Sequence, residues 1–446
     1  MPRRRYAEHR ARFLERLSAE RAAAVVATAT PKVRNHDCDF RFRPDSDFWY
    51  LTGFAEPGAA LVLLPGLEQG SAPRSLLFLR ERDREREIWD GRRLGLEAAP
   101  AALGVDEALA IEELWPRLPE LLAGYERIVY RTGNDEERDR RMLETLAALR
   151  RRARGGVRPP AELVDHAAFL HEQRLFKSPS EVEELRRAAA ITGEAHRRAM
   201  AEARPGVREN EIDALIEYTF RRRGSTGAAY TNIVAGGANA TILHYNENDA
   251  ELEDGALLLV DAGAEWEYYA TDVTRTFPVG GVFSPEQRAI YEAVLAAQAA
   301  AVEHVRPGVP FESIHELARG RIVDGLLELG LLSGTREERI EDESYRRFFM
   351  HRTSHWLGLD VHDCGAYSAG GASRALAPGM VLTVEPGIYV AADDETVEPR
   401  WRGIGVRIED DVLVTAGGRE VLTADIPKTV ADVEAACRAE RLIHVG

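Results

Sequence analysis

The chain has 446 residues, of which 45% are hydrophobic and 30% are charged, and its formal net charge is −16. This length and composition are typical of a globular protein with two or three domains, and the negative charge argues against nucleic acid as a partner because its phosphates would be repelled. No apolar run approaches the ~18 residues that a membrane helix needs.

The N-terminus and the cysteine content both bear on the cellular compartment. The chain starts with basic residues, but residues 6–16 are polar, which argues against a secretory signal peptide. The three cysteines, Cys38, Cys364 and Cys437, are too few for a disulfide framework and favour a reducing environment. We therefore expect a cytoplasmic protein without membrane contact.

The first part of the chain, residues 1–175, is predicted to be an α/β domain because short apolar runs alternate with helical stretches. The helical pattern is clear over 137–152, and a loop rich in Gly, Pro and Arg is expected at 154–160. The apolar runs predicted to be strands are 22–28, 59–64, 76–79 and 128–130.

The remainder, residues 176–446, is predicted to be a second domain that begins with a helix. Ser178 can cap this helix, Pro179 suits its first position, and Glu181 completes a capping box. Ser284 starts another helix by the same logic. The glycine pairs of this domain lack a GxGxxG or P-loop frame, so no nucleotide site is predicted.

Five side chains in the second domain are typical metal ligands, namely Asp261, Asp272, His355, Glu385 and Glu409. Three of the four carboxylates close or flank an apolar, strand-like run, where a buried carboxylate is costly unless it is paired or bound to metal. Four carboxylates would balance two divalent cations, which together can turn a shared water into hydroxide near neutral pH. Each residue alone is more simply a turn aspartate or a core histidine. If the fold gathers all five, they predict a hydrolase.

The segments around these five residues resemble the pita-bread metallopeptidases, and most closely bacterial aminopeptidase P. The matching stretches are LHYNEN (243–248), LLLVDAGAEWEYYATDVTRTFPVGG (257–281), HRTSHWLGLDVHDCG (351–365), LTVEPGIYV (382–390) and GVRIEDDVLVT (405–415). Two N-terminal stretches, PDSDFWYLTGFAEP (44–57) and IWDGRRLG (88–95), are similar as well. The resemblance implies an α/β (α+β) fold. In it, an N-terminal creatinase/aminopeptidase P-type α/β domain, which serves oligomerisation and active-site access, precedes a C-terminal pita-bread catalytic domain.

The resemblance also implies how the five residues bind metal. Asp261 would bind one ion, Asp272 and Glu409 would bridge two ions, and His355 and Glu385 would complete the other. This oxygen-rich set without cysteine suits a hard or borderline cation. We expect two divalent ions, with Mn²⁺ as the family's usual metal and Co²⁺ or Zn²⁺ as alternatives.

Catalytic roles outside the ligand set are implied as well. His244 would steady the transition state, His362 would contact the peptide, and Glu385 would pass a proton to the leaving proline nitrogen. Arg407 lies two residues before Glu409, so in a strand both side chains point to one face. Its guanidinium would hold carboxylates in place and bind the peptide, and an arginine on a surface strand is the alternative.

Three further residues are expected to bind substrate. His351 lies four residues before His355, a spacing that would place both on one face of a helix, and the resemblance makes it a pocket residue. Tyr389, four residues after Glu385, would form a pocket wall or donate a hydrogen bond from behind the metal ligands. Trp89 would reach the active site of a neighbouring subunit in a homo-oligomer, either a dimer or a tetramer, although an ordinary core tryptophan is the alternative. The histidines that match no motif are interpreted as surface or core residues: His9, His36, His166, His171, His196, His304, His315 and His444.

The implied function is that of a dinuclear metal-dependent aminopeptidase that releases the N-terminal residue from peptides with proline at the second position. Proline forms a tertiary amide without an N–H group, so a pocket shaped for its ring can select it. The nearest alternative is Xaa-Pro dipeptidase (prolidase), which shares all five ligands. A metal-free pita-bread protein that only binds peptides is a more distant alternative, because such proteins have typically lost ligands.

Overall fold

The computed structural model describes residues 2–67 and 71–440. The chain forms two compact units, Met1–Arg174 and Leu175–Gly446. Each unit combines helices with β-sheet, so the predicted α/β (α+β) class is confirmed. Among the described residues, no helix has both the length and the apolar character needed to cross a membrane.

The first unit is built around one mixed sheet. Its helices are α1 (Pro2–Ala19), α2 (Ser46–Thr52), α3 (Arg84–Asp90), α4 (Ala99–Leu103), α5 (Leu114–Leu121), α6 (Glu136–Arg151) and α7 (Ala167–Leu175). Its strands are β1 (Ala22–Ala27), β2 (Val33–Asn35), β3 (Cys38–Asp39), β4 (Ala60–Leu64), β5 (Arg74–Leu79), β6 (Glu107–Ala110), β7 (Arg127–Val129) and β8 (Glu162–Val164).

Six of these strands form a sheet in the order β6-β5-β4-β1-β7-β8, and β2 and β3 form a separate hairpin. The four apolar runs predicted to be strands correspond to β1, β4, β5 and β7, and the predicted helix over 137–152 corresponds to α6. Their apolar side chains are fully buried, as at Val62, Phe78 and Ile128. Burial of these runs is what stabilises the sheet.

The second unit contains several small antiparallel sheets covered by helices. Its helices are α8 (Pro179–Glu202), α9 (Glu209–Arg222), α10 (Pro285–His304), α11 (Phe311–Glu328), α12 (Arg336–Glu341) and α13 (Val430–Cys437). Its strands are β9 (Gly227–Ala228), β10 (Ile233–Gly236), β11 (Leu257–Asp261), β12 (Ala264–Trp266), β13 (Tyr269–Ala270), β14 (Thr274–Pro278), β15 (Ser368–Ala369), β16 (Ala372–Ser373), β17 (Val381–Val384), β18 (Gly387–Val390), β19 (Ile404–Arg407), β20 (Asp410–Thr415) and β21 (Gly418–Val421).

The predicted helix starts of the second unit are confirmed. The backbone N–H of Ser178 donates to the carboxylate of Glu181 at 2.8 Å, and α8 begins at Pro179. At α10, the backbone N–H of Gln287 donates to the hydroxyl of Ser284 at 3.2 Å. These contacts satisfy backbone N–H groups that the first helical turn leaves without a partner.

One three-stranded sheet, β10-β11-β14, carries the first pair of acidic residues. Asp261 is the last residue of β11 and lies opposite Thr274, the first residue of β14. Asp272 comes two residues before Thr274, after the β12–β13 hairpin has reversed the chain direction. The register of the two strands therefore places both aspartates at the same end of the sheet.

A second sheet, β17-β20-β21, carries the other acidic pair. Val384 at the end of β17 lies opposite Asp410 at the start of β20, so Glu385 and Glu409 follow and precede this matched position. The backbone N–H of Glu409 donates to the carbonyl of Thr274 at 3.1 Å, which joins this sheet to β14 of the first. Main-chain pairing thus determines which carboxylates meet.

Candidate metal centre and active-site cavity

The five predicted metal ligands line one cavity of about 1150 Å³ in the second unit. The Nε2 atom of His355 lies 3.2 Å from a carboxylate oxygen of Asp272 and 3.6 Å from one of Glu385. Asp272, His355 and Glu409 offer ligand atoms that all lie within 4.8 Å of one another. The fold therefore brings together residues that lie up to a third of the chain apart in the sequence.

Hydroxyl and guanidinium groups hold two of the carboxylates in place. Asp261 accepts a hydrogen bond from the Tyr230 hydroxyl at 2.6 Å and another from Arg407 Nη2 at 2.6 Å. Glu409 accepts one from the Thr274 hydroxyl at 2.7 Å. Sequence reasoning missed Tyr230 and Thr274 as site residues. The available signal for Thr274 was its place two residues after a candidate ligand, whereas no local signal marks Tyr230.

The imidazole of His355 is oriented by the backbone carbonyl of the next residue. Its Nδ1 lies 3.0 Å from the carbonyl of Trp356, so Nδ1–H donates there and Nε2 faces the carboxylates. Burial opposes the charged form of His355, but its hydrogen bond with Asp272 and the charge of that carboxylate outweigh burial and raise the pKa to about 9. A positive group is thus strongly favoured at this position, whether a proton or a metal ion supplies the charge.

The carboxylates carry more negative charge than the surrounding protein compensates. Burial raises the pKa of Glu385 to about 7, with His355 opposing and Asp272 adding to the shift. Burial, and then the charges of the other acids, raises the pKa of Glu409 well above its ordinary value. Burial also raises the pKa of Asp261, despite the opposing charge of Arg407. Oxygen donors crowded in this way fit divalent cations, which would relieve the repulsion.

The three other histidines predicted at the site lie around the same cavity. His244 and His362 are exposed and line it, and the rings of His362 and His355 meet edge to face with their centres 4.4 Å apart. His351 also lines it, and burial followed by the charge of Arg407 lowers its pKa to about 3. Residues 350–365 contain no helix, so helical spacing does not explain why His351 lies near His355.

Arg407 and Tyr389 form a buried support behind the acidic cluster. Besides its bond to Asp261, Arg407 donates through Nε to the Thr274 hydroxyl and through Nη1 to the Tyr389 hydroxyl, each at 3.0 Å. The Tyr389 hydroxyl also lies 2.8 Å from Nε2 of His351. Tyr389 is only 2% exposed and lies beneath the cavity wall rather than on it.

The last predicted site residue, Trp89, is not among the residues that line this cavity. Trp89 lies in the first unit, on α3, with 86% of its surface exposed.

In the first unit, Asp47, His166 and His171 form a second group with metal-ligand atoms close together. There Arg174 already pairs with Asp47 at 2.6 Å. Burial opposes ionisation of Asp47, but Arg174 and the two imidazoles hold its pKa well below the ordinary value.

Seven of the eight histidines without a motif belong to the described residues, and none of these seven lines the cavity. His9, His166, His196 and His315 are buried, as expected for core residues, whereas His36 is exposed. His444 lies outside the described residues.

Comparison with known families identifies the group to which these features belong. The model of metallopeptidase family M24 matches residues 183–416, and that of the aminopeptidase P N-terminal domain matches residues 6–130. The "Xaa-Pro aminopeptidase" of Escherichia coli (strain K12) is 45% identical over 420 residues, which is 94% of this chain and 94% of that protein. The chain belongs to the aminopeptidase P family. The resemblance read from the sequence segments is therefore confirmed.

Other members of the aminopeptidase P family are similar over most of the chain. "Xaa-Pro aminopeptidase 3" of Homo sapiens is 36% identical over 93% of this chain and 80% of that protein. The solved structure of Pseudomonas aeruginosa aminopeptidase PepP is 48% identical, has a TM-score of 0.94 and covers 98% of both chains. The zinc-substituted E. coli aminopeptidase P in complex with product is 44% identical, with a TM-score of 0.94 and 98% coverage of both chains. The expected architecture, an aminopeptidase P-type N-terminal domain followed by a pita-bread domain, is confirmed.

Proposed function

We infer that the chain is a Xaa-Pro aminopeptidase, a metallo-exopeptidase that releases the N-terminal residue from peptides with proline at the second position. The observation that carries this inference is the meeting of four carboxylates and His355 at one cavity. The volume of about 1150 Å³ suits a short peptide. Identity of 45% to the E. coli Xaa-Pro aminopeptidase over nearly the full length supports the substrate class and argues against prolidase.

We propose a dinuclear metal centre. Asp261, Asp272, His355, Glu385 and Glu409 would hold two divalent ions. The oxygen-rich donor set favours Mn²⁺, with Co²⁺ and Zn²⁺ as alternatives. When bound, the ions supply Lewis acidity for the scissile carbonyl and lower the pKa of a water molecule.

The protein side chains then bind and move protons. His244, exposed in the cavity, would donate from a ring nitrogen to the scissile carbonyl oxygen as negative charge develops there. Glu385 would accept a proton from the attacking water and return it to the leaving proline nitrogen. Arg407 keeps Asp261 in position through its bond of 2.6 Å. His362 and His351 would contact the peptide from the cavity wall.

The first domain, residues 1–175, is proposed to serve assembly and access to the active site. Its helix α3 exposes two large apolar side chains at consecutive positions, Ile88 at 81% and Trp89 at 86%. Exposed apolar pairs of this kind favour a protein interface. We propose that Trp89 contacts substrate in a neighbouring subunit of a dimer or tetramer. Sedimentation tests this, since a fully active monomer would contradict it.

A cytoplasmic location is also proposed. The three cysteines are free thiols, which supports a reducing compartment.

Peptide cleavage by chelated protein, with and without added Mn²⁺, tests the proposed function. We expect release of the first residue from Ala-Pro-Gly only after the metal is restored, and none from the matched peptide Ala-Ala-Gly. A Xaa-Pro dipeptide and a Xaa-Pro pentapeptide then separate the two proline-specific activities. If the protein cleaves only the dipeptide, its activity is that of a prolidase and not of an aminopeptidase. Unchanged turnover after complete chelation would rule out the metal-dependent mechanism.

A further inference from the structure

The loop that carries His244, residues 237–250, folds back onto a buried glutamate. Glu209 is the first residue of α9, and its side chain is fully buried. It does not line the cavity. None of the roles above uses Glu209, although a buried carboxylate requires an explanation.

The Glu209 carboxylate accepts four hydrogen bonds, two on each oxygen. Oε1 accepts from the backbone N–H of Gly236 at 2.7 Å and from the side-chain amide of Asn239 at 3.0 Å. Oε2 accepts from the hydroxyl of Tyr245 at 2.8 Å and from the backbone N–H of Ala250 at 2.9 Å. The backbone N–H of Glu209 itself donates to the carbonyl of Ala250 at 2.9 Å. The Glu209 side chain thus forms hydrogen bonds with both ends and with the middle of the loop.

All four donors are neutral, so no cation compensates the charge at these contacts. An ionised carboxylate has about four lone-pair sites, and here each is used. The N-terminus of α9 also favours a negative charge at Glu209. A glutamine could not replace this group, because its NH₂ would face two of the donors whichever way the amide is turned.

The anchored positions lie on both sides of His244. Asn239 precedes it, whereas Tyr245 and Ala250 follow it. Tyr245 is 6% exposed and packs in an apolar cluster with Tyr389 of the site. The His244 side chain itself is exposed, so its direction follows from the backbone on either side.

We propose that Glu209 is a positioning residue, which fixes the loop so that the His244 imidazole points at the scissile carbonyl. The proposal rests on the function inferred for His244 in the preceding section. Glu209 does not line the cavity, and none of its four side-chain hydrogen bonds joins it to a metal ligand. It acts by keeping the 237–250 loop in a single conformation, so its removal should change kcat more than KM.

Glu209→Gln is the primary test, with two readouts. Hydrogen exchange over residues 237–250 should accelerate at least about tenfold, since the loop opens more readily. The value of kcat for a Xaa-Pro tripeptide should fall about 10- to 100-fold with KM changed by less than about threefold, because a misplacement of about 1 Å is enough for such a loss. Metal content should equal that of the wild type. Unchanged exchange in the loop would overturn the proposal.

A double-variant cycle with His244→Ala tests whether Glu209 acts through the histidine. If it does, adding Glu209→Gln to His244→Ala should lower kcat by less than about threefold further. If the reductions in kcat of the two single variants multiply fully in the double variant, Glu209 does not act through His244. Tyr245→Phe removes one of the four donors and should give a smaller loss in the same direction, which keeps the test open if Glu209→Gln folds poorly.

Glu181→Gln is the matched control. Glu181 is also a buried glutamate in the first turn of a helix, and it accepts a backbone N–H and the Tyr269 hydroxyl, at 2.8 and 2.9 Å. Its replacement should lower stability without changing exchange over 237–250. Loop exchange that rises equally in both variants would overturn the proposal. A wild-type protein that does not cleave Xaa-Pro peptides would refute the function inferred above, whereas loop exchange would still decide whether Glu209 holds the loop.

Discussion

Replacement of Arg275 by alanine tests how much the buried contacts next to the acidic cluster contribute to the free energy of unfolding. The Arg275 side chain is completely buried and donates to Asp410 at 2.7 Å, and the Asp410 side chain is completely buried as well. The same guanidinium donates to four backbone carbonyls, those of Thr274, Glu409, Ile426 and Pro427. Arg275 therefore joins β14, the Glu409 ligand position and the segment before α13.

The expected loss is large because the pair is buried. Removing one partner of a buried ion pair costs about 3–5 kcal/mol, since the other charge stays in the protein interior. Asp410 keeps a contact with Lys428, which argues for the lower part of this range. At an m-value of about 2 kcal/mol/M, a loss of about 3 kcal/mol lowers the urea midpoint by about 1.5 M. That is a substantial part of the ~5–15 kcal/mol that stabilises a typical protein.

The exposed pair of Arg186 and Glu420 provides the control. Two nitrogens of Arg186 bond the Glu420 carboxylate at 2.8 Å each, but their side chains are 43% and 38% exposed. Arg186→Ala should therefore cost only about 0–1 kcal/mol. Both variants are unfolded in urea after chelation, because bound metal would add its own stabilisation. The reasoning is refuted if Arg275→Ala loses no more stability than Arg186→Ala.

Three further outcomes are expected. Asp261→Ala should abolish uptake of Mn²⁺ measured after dialysis, and a chelated variant that still turns over substrate would contradict the metal scheme. Tyr230→Phe removes the hydroxyl that donates to Asp261 at 2.6 Å, so metal affinity measured by titration should fall at least about tenfold; an unchanged Kd would show that the hydroxyl does not hold the carboxylate. Burial lowers the pKa of His196 to about 4, so below the unfolded-state pKa of ~6.5 the unfolded chain binds a proton that the folded chain excludes. Between pH 7 and 4 the unfolding free energy of the wild type should drop by about 3 kcal/mol more than that of His196→Gln in urea titrations, and parallel losses would contradict this assignment.

The ligand residues could be predicted because several of them are marked by their neighbours. Asp261 and Glu385 each end an apolar run, and the runs became β11 and β17. One carboxylate at such a position is most simply a turn residue, and it was the recurrence of acids beside apolar runs that indicated a site. The family resemblance then implied that these residues share one metal site, which no local pattern contains.

The supporting residues could not be found in this way. Tyr230 is 31 residues from Asp261, and Thr274 is 135 residues from Glu409. Tyrosine and threonine are common in strands and turns, so neither residue stands out in the sequence. Glu209 is similar, since a glutamate at a helix start is ordinarily an exposed residue that favours the N-terminus. Its four contacts become visible only when the loop is folded.

The strand order of the first unit could not be predicted from the sequence either. The apolar runs of β1, β4, β5 and β7 were visible, but the order β6-β5-β4-β1-β7-β8 mixes parallel and antiparallel pairs, and β1 pairs with β4 and β7, which do not follow it directly in the chain. Strands of two residues, such as β9 and β13, are too short for a periodic pattern.

The crowding of acids around His355 also bears on how such a protein would change if it were released from selection for catalysis. Burial and mutual repulsion disfavour the ionised forms of Glu385 and Glu409, so a neutral substitution at either position would make the metal-free chain more stable. A duplicated gene without a peptide to cleave should therefore lose these acids early and keep its architecture. Non-enzymatic descendants of this fold would be recognised by uncharged residues at strand ends that remain otherwise intact.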